Sequence, residues 1–387
     1  MKLEKDKWQT VTLEKLSNGI EYGLTASSED CGDTILLRIT DVNENGKLND
    51  GLRFATVDEK TFSKYQLKPN NVLIARSGAT AGKAYIHKSE GKFIFASYML
   101  RILLKEESID PDYFFSFLNS PNYISQLSGI KVGSAQPNVN TTNLATLKIP
   151  LPSLTEQKQI AALFQSIETA IGQVDGQAKN LKALQKLLVN GLLSKEPVFG
   201  NILHSKNCTE TTFGEISECD KRYPEHEKDV ERFIGLEFIE ADNFQLQGFG
   251  LVLNGTTFSK RFVKDDVLFG KRRAYLKKVA VADFDGICSG DILVIRAKAK
   301  KMLQGLLPYY ISADAFIQHA VTTSAGSLSP RTKWKDLAEL EFFIPDLKTQ
   351  EKILEVFKQL ETTLSQIEQQ KITLKNLKQK LLNEILR

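Results

Sequence analysis

A constant displacement of 193 residues relates the end of the first half of this 387-residue chain to the end of the second. It carries Pro152 onto Pro345, Gly133-Ser134 onto Gly326-Ser327, Leu144 onto Leu337, Leu147 onto Leu340, Leu154 onto Leu347, Gln157 onto Gln350 and Phe164 onto Phe357. Upstream the match continues with gaps: Lys68-Pro-Asn-Asn-Val-Leu-Ile-Ala-Arg76 resembles Val263-Lys-Asp-Asp-Val-Leu-Phe-Gly-Lys271, and Ser97 falls near Ser289. A chain with such an internal repeat builds one frame twice.

Each copy opens with short β-like runs, such as Thr34–Thr40, Asn71–Ala75 and Met99–Leu104, broken by Gly, Asn and Asp. Between Pro111 and Leu127, the residues Tyr113, Phe114, Phe117, Leu118, Tyr123 and Ile124 recur at helical spacing, which predicts one or two helices packed on a sheet. Each copy then ends in a long helix opening soon after a proline, with Thr155, Glu156 and Gln157 an acceptable start in the first. The first helix carries an apolar stripe through Ile160, Phe164, Ile167, Ile171, Val174, Ala178, Leu181, Gln185, Leu188 and Leu192. The second carries one through Ile353, Phe357, Leu360, Leu364, Ile367, Lys371, Leu374, Lys378, Leu381 and Ile385. The spacing is that of a heptad seam. The weak positions coincide, Ala178 with Lys371 and Gln185 with Lys378, and Leu184 and Leu377 are expected to fill in beside them. Two long, narrow stripes in a duplicated chain are expected to pair about a pseudo-twofold axis, hence antiparallel. The fold class expected is α+β: two mixed α/β globules in tandem repeat, at 1–152 and 198–345, each followed by a long helix, at 153–197 and 346–387, the helices forming an antiparallel coiled coil.

The net charge of +4 hides an uneven distribution. Residues 60–92 hold seven Lys/Arg against one Glu and residues 260–301 hold twelve against five Asp, while the remainder is net acidic. A single basic run is ordinarily a solvated face; one in each half favours a polyanionic partner. Hydrophobic residues make up 42% of the chain, enough for more than one core. No run approaches the ~20 apolar residues of a membrane span, and the N-terminal residues lack the apolar core of a secretory signal, so a cytoplasmic protein away from membranes is expected. Cys31, Cys208, Cys219 and Cys288 form no CxxC pair and the four histidines are scattered, so neither a disulfide framework nor a metal site is expected.

Catalytic signatures are missing. Gly78-Ala-Thr-Ala-Gly-Lys-Ala84 is one residue short of a phosphate loop and has Ala where Ser or Thr must bind the metal. There is no GxGxxG, and no consecutive prolines with which an amino methyltransferase could hold a target amine. Asp58-Glu-Lys60 fits a three-residue nuclease fragment expected by chance. No catalytic residue and no cofactor are assigned.

Groups suited to DNA are abundant by contrast: Lys and Arg for phosphates, and Arg, Asn, Gln and Ser for base edges. The candidates in the first copy are Lys64, Arg76, Lys83, Lys131, Ser134, Gln136 and Asn138. Those in the second are Lys260, Arg261, Lys271, Arg272, Arg273, Lys277, Lys278, Arg331 and Lys333. The amide-rich segment Lys131–Asn143 is equally readable as a capped loop. Its counterpart Gly326–Trp334 replaces most of those amides, as two readers of different sequences would. The cluster around Lys271–Lys278 is expected on a loop at a sheet edge.

Leu147-Lys-Ile-Pro-Leu-Pro-Ser-Leu-Thr-Glu-Gln-Lys-Gln-Ile-Ala161, its echo Leu340–Ile353, the Gly-Ser loops and the strand Val72–Gly78 together resemble the specificity subunits of type I restriction–modification enzymes. The second copy departs at Thr349-Gln350, where the first has Glu156-Gln157, and at Lys271-Arg272-Arg273, where the first has Arg76-Ser77-Gly78. The resemblance implies two target recognition domains reading the halves of a bipartite, asymmetric site in double-stranded DNA, with helices that set the unread spacer. It also implies two adenine methyltransferase subunits docked on the helical regions, and restriction subunits joining them; S-adenosylmethionine and ATP would belong to those partners. A different reading of the residues is a coiled-coil scaffold joining two protein-binding globules, against which the basic stretches count; a third is a nuclease with a degenerate site.

Overall fold

The structure, a computed structural model, describes residues 3–43, 48–130, 138–194, 208–219 and 230–387. The chain divides into two compact units, Met1–Asp175 with Gln369–Arg387, and Gly176–Glu368.

The described strands of the first unit are β1 (Gln9–Thr12), β2 (Ser17–Tyr22), β3 (Thr34–Leu37), β4 (Phe54–Ala55), β5 (Val72–Ala75), β6 (Ala84–Ile86), β7 (Phe93–Phe95), β8 (Met99–Leu104) and β9 (Lys148–Leu151). Its helices are α1 (Leu13–Leu16), α2 (Glu59–Tyr65), α3 (Pro111–Phe117), α4 (Pro121–Ile130), α5 (Thr141–Ala145) and the first part of α6 (Leu154–Gly191). In the second unit the strands are β10 (Cys208–Thr212), β11 (Ser217–Cys219), β12 (Arg232–Ile234), β13 (Gly250–Leu251), β14 (Lys260–Phe262), β15 (Val267–Gly270), β16 (Val279–Val281), β17 (Gly286–Cys288), β18 (Ile292–Ala297) and β19 (Glu341–Pro345). Its helices are α7 (Phe213–Ile216), α8 (Leu307–Ser312), α9 (Asp314–Thr322), α10 (Trp334–Ala338) and the first part of α11 (Leu347–Ile385).

The duplication read from spacing is a duplication of topology. The order β2-β8-β5-β6 in the first unit is repeated as β11-β18-β15-β16, and β4-β3-β7 reappears as β13-β12-β17 with β14 added at its edge. The second of these sheets holds a parallel pair in each unit, β3 with β7 and β12 with β17. Each unit also pairs its first strand with the one before its long helix, β1 with β9 and β10 with β19.

β5 explains why a run such as Val72-Leu-Ile-Ala75 must be apolar throughout. Its alternate side chains face two different cores: Val72 and Ile74 join Leu100, Phe114, Phe117 and Phe164 on the helix side, while Leu73 and Ala75 join Leu37, Phe95 and Met99 on the other. A strand buried on both faces loses the apolar–polar alternation of a half-exposed one. β15 does the same in the second unit, Val267 and Phe269 packing on the helices and Leu268 against Ile234 and Val294.

α6 begins one residue earlier than the sequence suggests. Ser153 and Glu156 form a capping box, Ser153 Oγ accepting from Glu156 N at 3.3 Å and Glu156 Oε2 from Ser153 N at 3.2 Å. In α11 an aspartate takes that place, Asp346 Oδ1 accepting from Thr349 N at 2.7 Å. Behind each cap lies a buried glutamine with the same three partners. Gln157 accepts from Asp110 N at 2.8 Å and donates to Ser108 O and Pro152 O, at 3.2 and 3.0 Å. Gln350 accepts from Leu303 N at 2.9 Å and donates to Lys301 O and Pro345 O, each at 2.9 Å.

The stripes on α6 and α11 are the buried and half-buried positions of both helices, as their spacing requires. In the first unit Lys371 pairs with Asp175 at 2.6 Å and Lys378 pairs with Glu168, so a step of seven up one helix is a step of seven down the other: the helices run antiparallel. In the second unit Val189 and Leu192 share a core with Ile353 and Phe357. One expectation fails: Leu184 and Leu377 do not fill the seam but remain 42% and 44% exposed. The lysines need no such help, because their stems lie along the seam while their ammonium groups reach acids on the facing helix. Among the described residues no helix is long and apolar enough to cross a membrane.

Replacing Gln157 or Gln350 by Ala strands three backbone groups at a buried site, each bond contributing about 1 kcal/mol. Urea unfolding of either variant should show a loss of about 3 kcal/mol; a loss under about 1 kcal/mol would refute the stapling role.

Candidate nucleic-acid interface

The basic candidates of the first unit lie on separate elements. Lys64, on α2, is exposed with its ammonium 5.2 Å from the Tyr65 ring centroid. Lys83 closes the near-miss phosphate loop, but its Nζ donates to the Val42 carbonyl at 2.9 Å, and any side chain at Gly82 would collide with Leu127. That loop is a tight turn whose lysine is engaged by a backbone carbonyl. Asp58 of the three-residue nuclease match caps α2, accepting from Thr61 N at 2.6 Å. Lys131, Ser134 and Gln136 lie outside the described residues.

Arg76 and Asn138 come together at the end of β5. Arg76 N donates to Tyr98 O at 2.7 Å, and Val139 N donates to Arg76 O at 2.8 Å. Ser77 and Asn138 pair as an isolated antiparallel bridge. The Arg76 guanidinium lies 5.0 Å from the Tyr22 ring centroid, and Tyr22 and Tyr98 are 43% and 67% exposed. The junction thus sets a cation over the Tyr22 ring, with the exposed Tyr98 tied to the same backbone.

The second unit repeats this backbone junction with other side chains. Lys271 N donates to Asp291 O at 2.9 Å, Thr332 N donates to Lys271 O at 3.1 Å, and Arg272 pairs with Arg331 as the bridge. Lys271 therefore stands where Arg76 stands, Asp291 where Tyr98 stands, and Arg331 where Asn138 stands. Asp291 Oδ1 accepts from Arg331 Nε at 2.7 Å, and its Oδ2 lies 3.3 Å from Arg331 Nη2 and 3.1 Å from Arg272 Nη1. The Arg331 hydrogen bonds hold the Asp291 carboxyl below the usual carboxylate range. Burial, and after it the charge of Lys260, lowers Lys271 from the usual lysine range.

Arg273 is exposed, and its Nη2 donates to Leu328 O at 3.3 Å; Leu328 itself, on the neighbouring loop, is 88% exposed. Lys333 is exposed just beyond Arg331, at the N-cap of α10. The remaining candidates are differently engaged. Lys277 pairs with Asp314, Lys278 Nζ donates to the Leu236 carbonyl, Lys260 Nζ donates to the Ile292 carbonyl, and Arg261 is half-buried on β14. The 271–278 loop joins the interior strand β15 to the edge strand β16.

Sequence reasoning missed Tyr22, Tyr98, Asp291 and Leu328. The displacement of 193 does carry Tyr98 onto Asp291, but a tyrosine and an aspartate at one aligned position give no signal until the backbone bonds show that the position is the same. Among the described residues no cluster of His, Cys, Asp and Glu could hold a metal ion, and none of the four cysteines is in a disulfide.

The family model for the type I restriction modification DNA specificity domain matches the chain twice, over residues 5–182 and 213–376. The type I restriction enzyme EcoDI specificity subunit of Escherichia coli is 24% identical over 378 residues, covering 88% of this chain and 82% of its own. The MjaVIII specificity subunit of Methanocaldococcus jannaschii is 23% identical over 374 residues, covering 88% and 83%. Among solved structures, the S subunit of a type I restriction-modification system from M. genitalium aligns with a TM-score of 0.58 at 15% identity, over 100% of this chain and 98% of that one.

The charge of Lys277 is offset by Asp314, whereas Arg273 is exposed and engages only a neutral carbonyl, Leu328 O. Arg273→Ala should therefore lower the log–log salt slope of duplex binding by about one, while Lys277→Ala leaves it nearly unchanged. Equal slopes for the two variants in salt titrations would contradict the assignment.

Proposed function

The chain belongs to the type I restriction modification DNA specificity family, and on that premise we propose that it is the sequence-reading subunit of a DNA-modifying assembly, each unit reading one half of a bipartite, asymmetric site. The observation that carries this reading is the repeated junction. One backbone frame, fixed by equivalent hydrogen bonds in both units, presents Arg76, Tyr98 and Asn138 in one and Lys271, Asp291 and Arg331 in the other. A fixed frame with divergent side chains suits two readers of different sequences. Phosphate contacts would supply most of the affinity and base-edge contacts the discrimination.

In this reading residues 1–152 and 198–345 are the target recognition domains, and 153–197 and 346–387 the spacer helices. The partners are double-stranded DNA, two adenine methyltransferase subunits and the restriction subunits, assembled in the cytoplasm. The relatives are named as specificity subunits, which supports a chain that recognises DNA and leaves transfer and cleavage to its partners. The engagement of Asp58 and Lys83 in a helix cap and a turn supports the same division.

The purified chain should neither methylate nor cut DNA with S-adenosylmethionine, ATP and Mg2+ supplied, while adding the methyltransferase subunit should produce methylation at one bipartite motif. Methyl transfer by the chain alone would overturn the reading. Lengthening both long helices by about one turn, ~4 residues each, should change the spacer of that motif and keep its half-sites. Sequencing of methylated sites reads the outcome, and a new half-site with the old spacer would count against the helices as the ruler.

A further inference from the structure

A carboxylate on a surface that meets phosphates works against affinity, so Asp291 needs a reason to stand among Lys271, Arg272 and Arg331. Its geometry supplies one. Each nitrogen of Arg331 already has a partner: Nε and Nη2 face Asp291, and Nη1 donates to Ser329 O at 3.3 Å. Its Nε–Nη2 edge is the one that clamps the carboxylate. Arg272 is held only at Nη1, 3.1 Å from Asp291 Oδ2, with its side chain 43% exposed, and its Nε–Nη2 edge makes no hydrogen bond among the described residues. The backbone of the site is tied as well, by Lys271 N to Asp291 O, Arg273 N to Pro330 O and Thr332 N to Lys271 O.

We propose that Asp291 is a positioning residue that aims the open edge of Arg272 at a guanine in the half-site read by the second unit; this rests on the DNA-specificity reading above. An arginine edge matches the N7 and O6 acceptors of guanine with two bonds. An unrestrained arginine must give up the freedom of a long side chain before it can make them, and a carboxylate on its far side removes that freedom beforehand. Arg273 has no carboxylate within its described contacts and offers a less directed charge. In the first unit Tyr98 occupies the place of Asp291, so this device belongs to one half-site alone.

The proposal predicts opposite effects on affinity and specificity. Asp291→Asn keeps the size of the side chain and removes its charge. Binding of the assembled complex to a non-cognate duplex should tighten, because one repulsive charge is gone. Preference for guanine at one position should fall at least about fivefold, the low end of what a bidentate base contact provides. Arg272→Lys keeps the charge and loses the fork, and it should relax the same position.

The test is sequencing of methylated sites in cells co-expressing the methyltransferase subunit with the wild-type chain, Asp291→Asn or Arg272→Lys. Relaxation of one shared guanine position in one half-site, with the other half-site intact, supports the proposal. An unchanged motif in either variant overturns it, as does relaxation at different positions, the result expected if Asp291 itself reads a cytosine. Should Asp291→Asn fail to fold, Arg272→Lys on an exposed side chain still decides through the presence or absence of a relaxed guanine. Failure of the wild-type chain to direct any bipartite motif would sink the specificity reading itself, a result separate from a motif that the variants leave unchanged.

Discussion

A neutral amide, buried at the root of each long helix, joins the two kinds of structure in this chain. Gln157 and Gln350 are 1% and 0% exposed, and each satisfies one amide N–H and two carbonyls from two stretches of backbone. A charged group there would carry a large desolvation penalty, and an apolar one would strand the backbone groups. The glutamine fixes where its helix leaves the sheet without a cap-to-core salt bridge. Everything the helices do within a unit depends on that departure. Because both copies keep the same three bonds, the frame survives although the surfaces have diverged.

The seam shows a second use of polar groups inside a packed structure. Lys371 and Lys378 occupy heptad positions where apolar residues would pack better, and each meets an acid of α6, Asp175 or Glu168. Half-exposed pairs of this kind add little stability. Their effect is on choice: a polar residue at a seam position penalises registers in which it finds no partner. The equivalent positions on α6 are Ala178 and Gln185, so the two stripes are not interchangeable. A duplicated chain with identical stripes would have several pairings of equal energy; unequal stripes remove that degeneracy.

Much of the frame was legible because it rests on periodicity. The displacement of 193, the seven-residue stripes and the apolar runs at Val72–Ala75 and Val267–Phe269 each follow from what must be buried, and burial leaves a repeating signature. The roles of Leu184 and Leu377 were misread because pattern alone cannot show that a lysine in a seam has an acid across from it. The site was less legible for a related reason. Basic residues are counted easily, but whether a lysine faces solvent or a carbonyl, as Lys83 and Lys278 do, depends on loops whose course no periodicity dictates. Tyr98 and Asp291 share a backbone position yet share no chemistry, so only the hydrogen bonds of their neighbours reveal the equivalence.

That equivalence bears on how a protein of this architecture can change what it reads without losing its fold. At the junction the bonds that set backbone position run between main-chain atoms: Arg76 N to Tyr98 O, Val139 N to Arg76 O, and their counterparts at Lys271, Asp291 and Thr332. None depends on the side chains at those positions, which is why a cation beside two tyrosines and a cluster of arginines about a carboxylate can stand on the same support. Substitution at the junction's exposed positions, Tyr98 and Arg331, costs surface terms, typically within about 0.5 kcal/mol of neutral, whereas a wrong base contact costs roughly 1–3 kcal/mol of binding. Stability and discrimination therefore depend on different atoms of the same residues, and the side chains of the junction are free to diverge within limits set by the DNA rather than by the core.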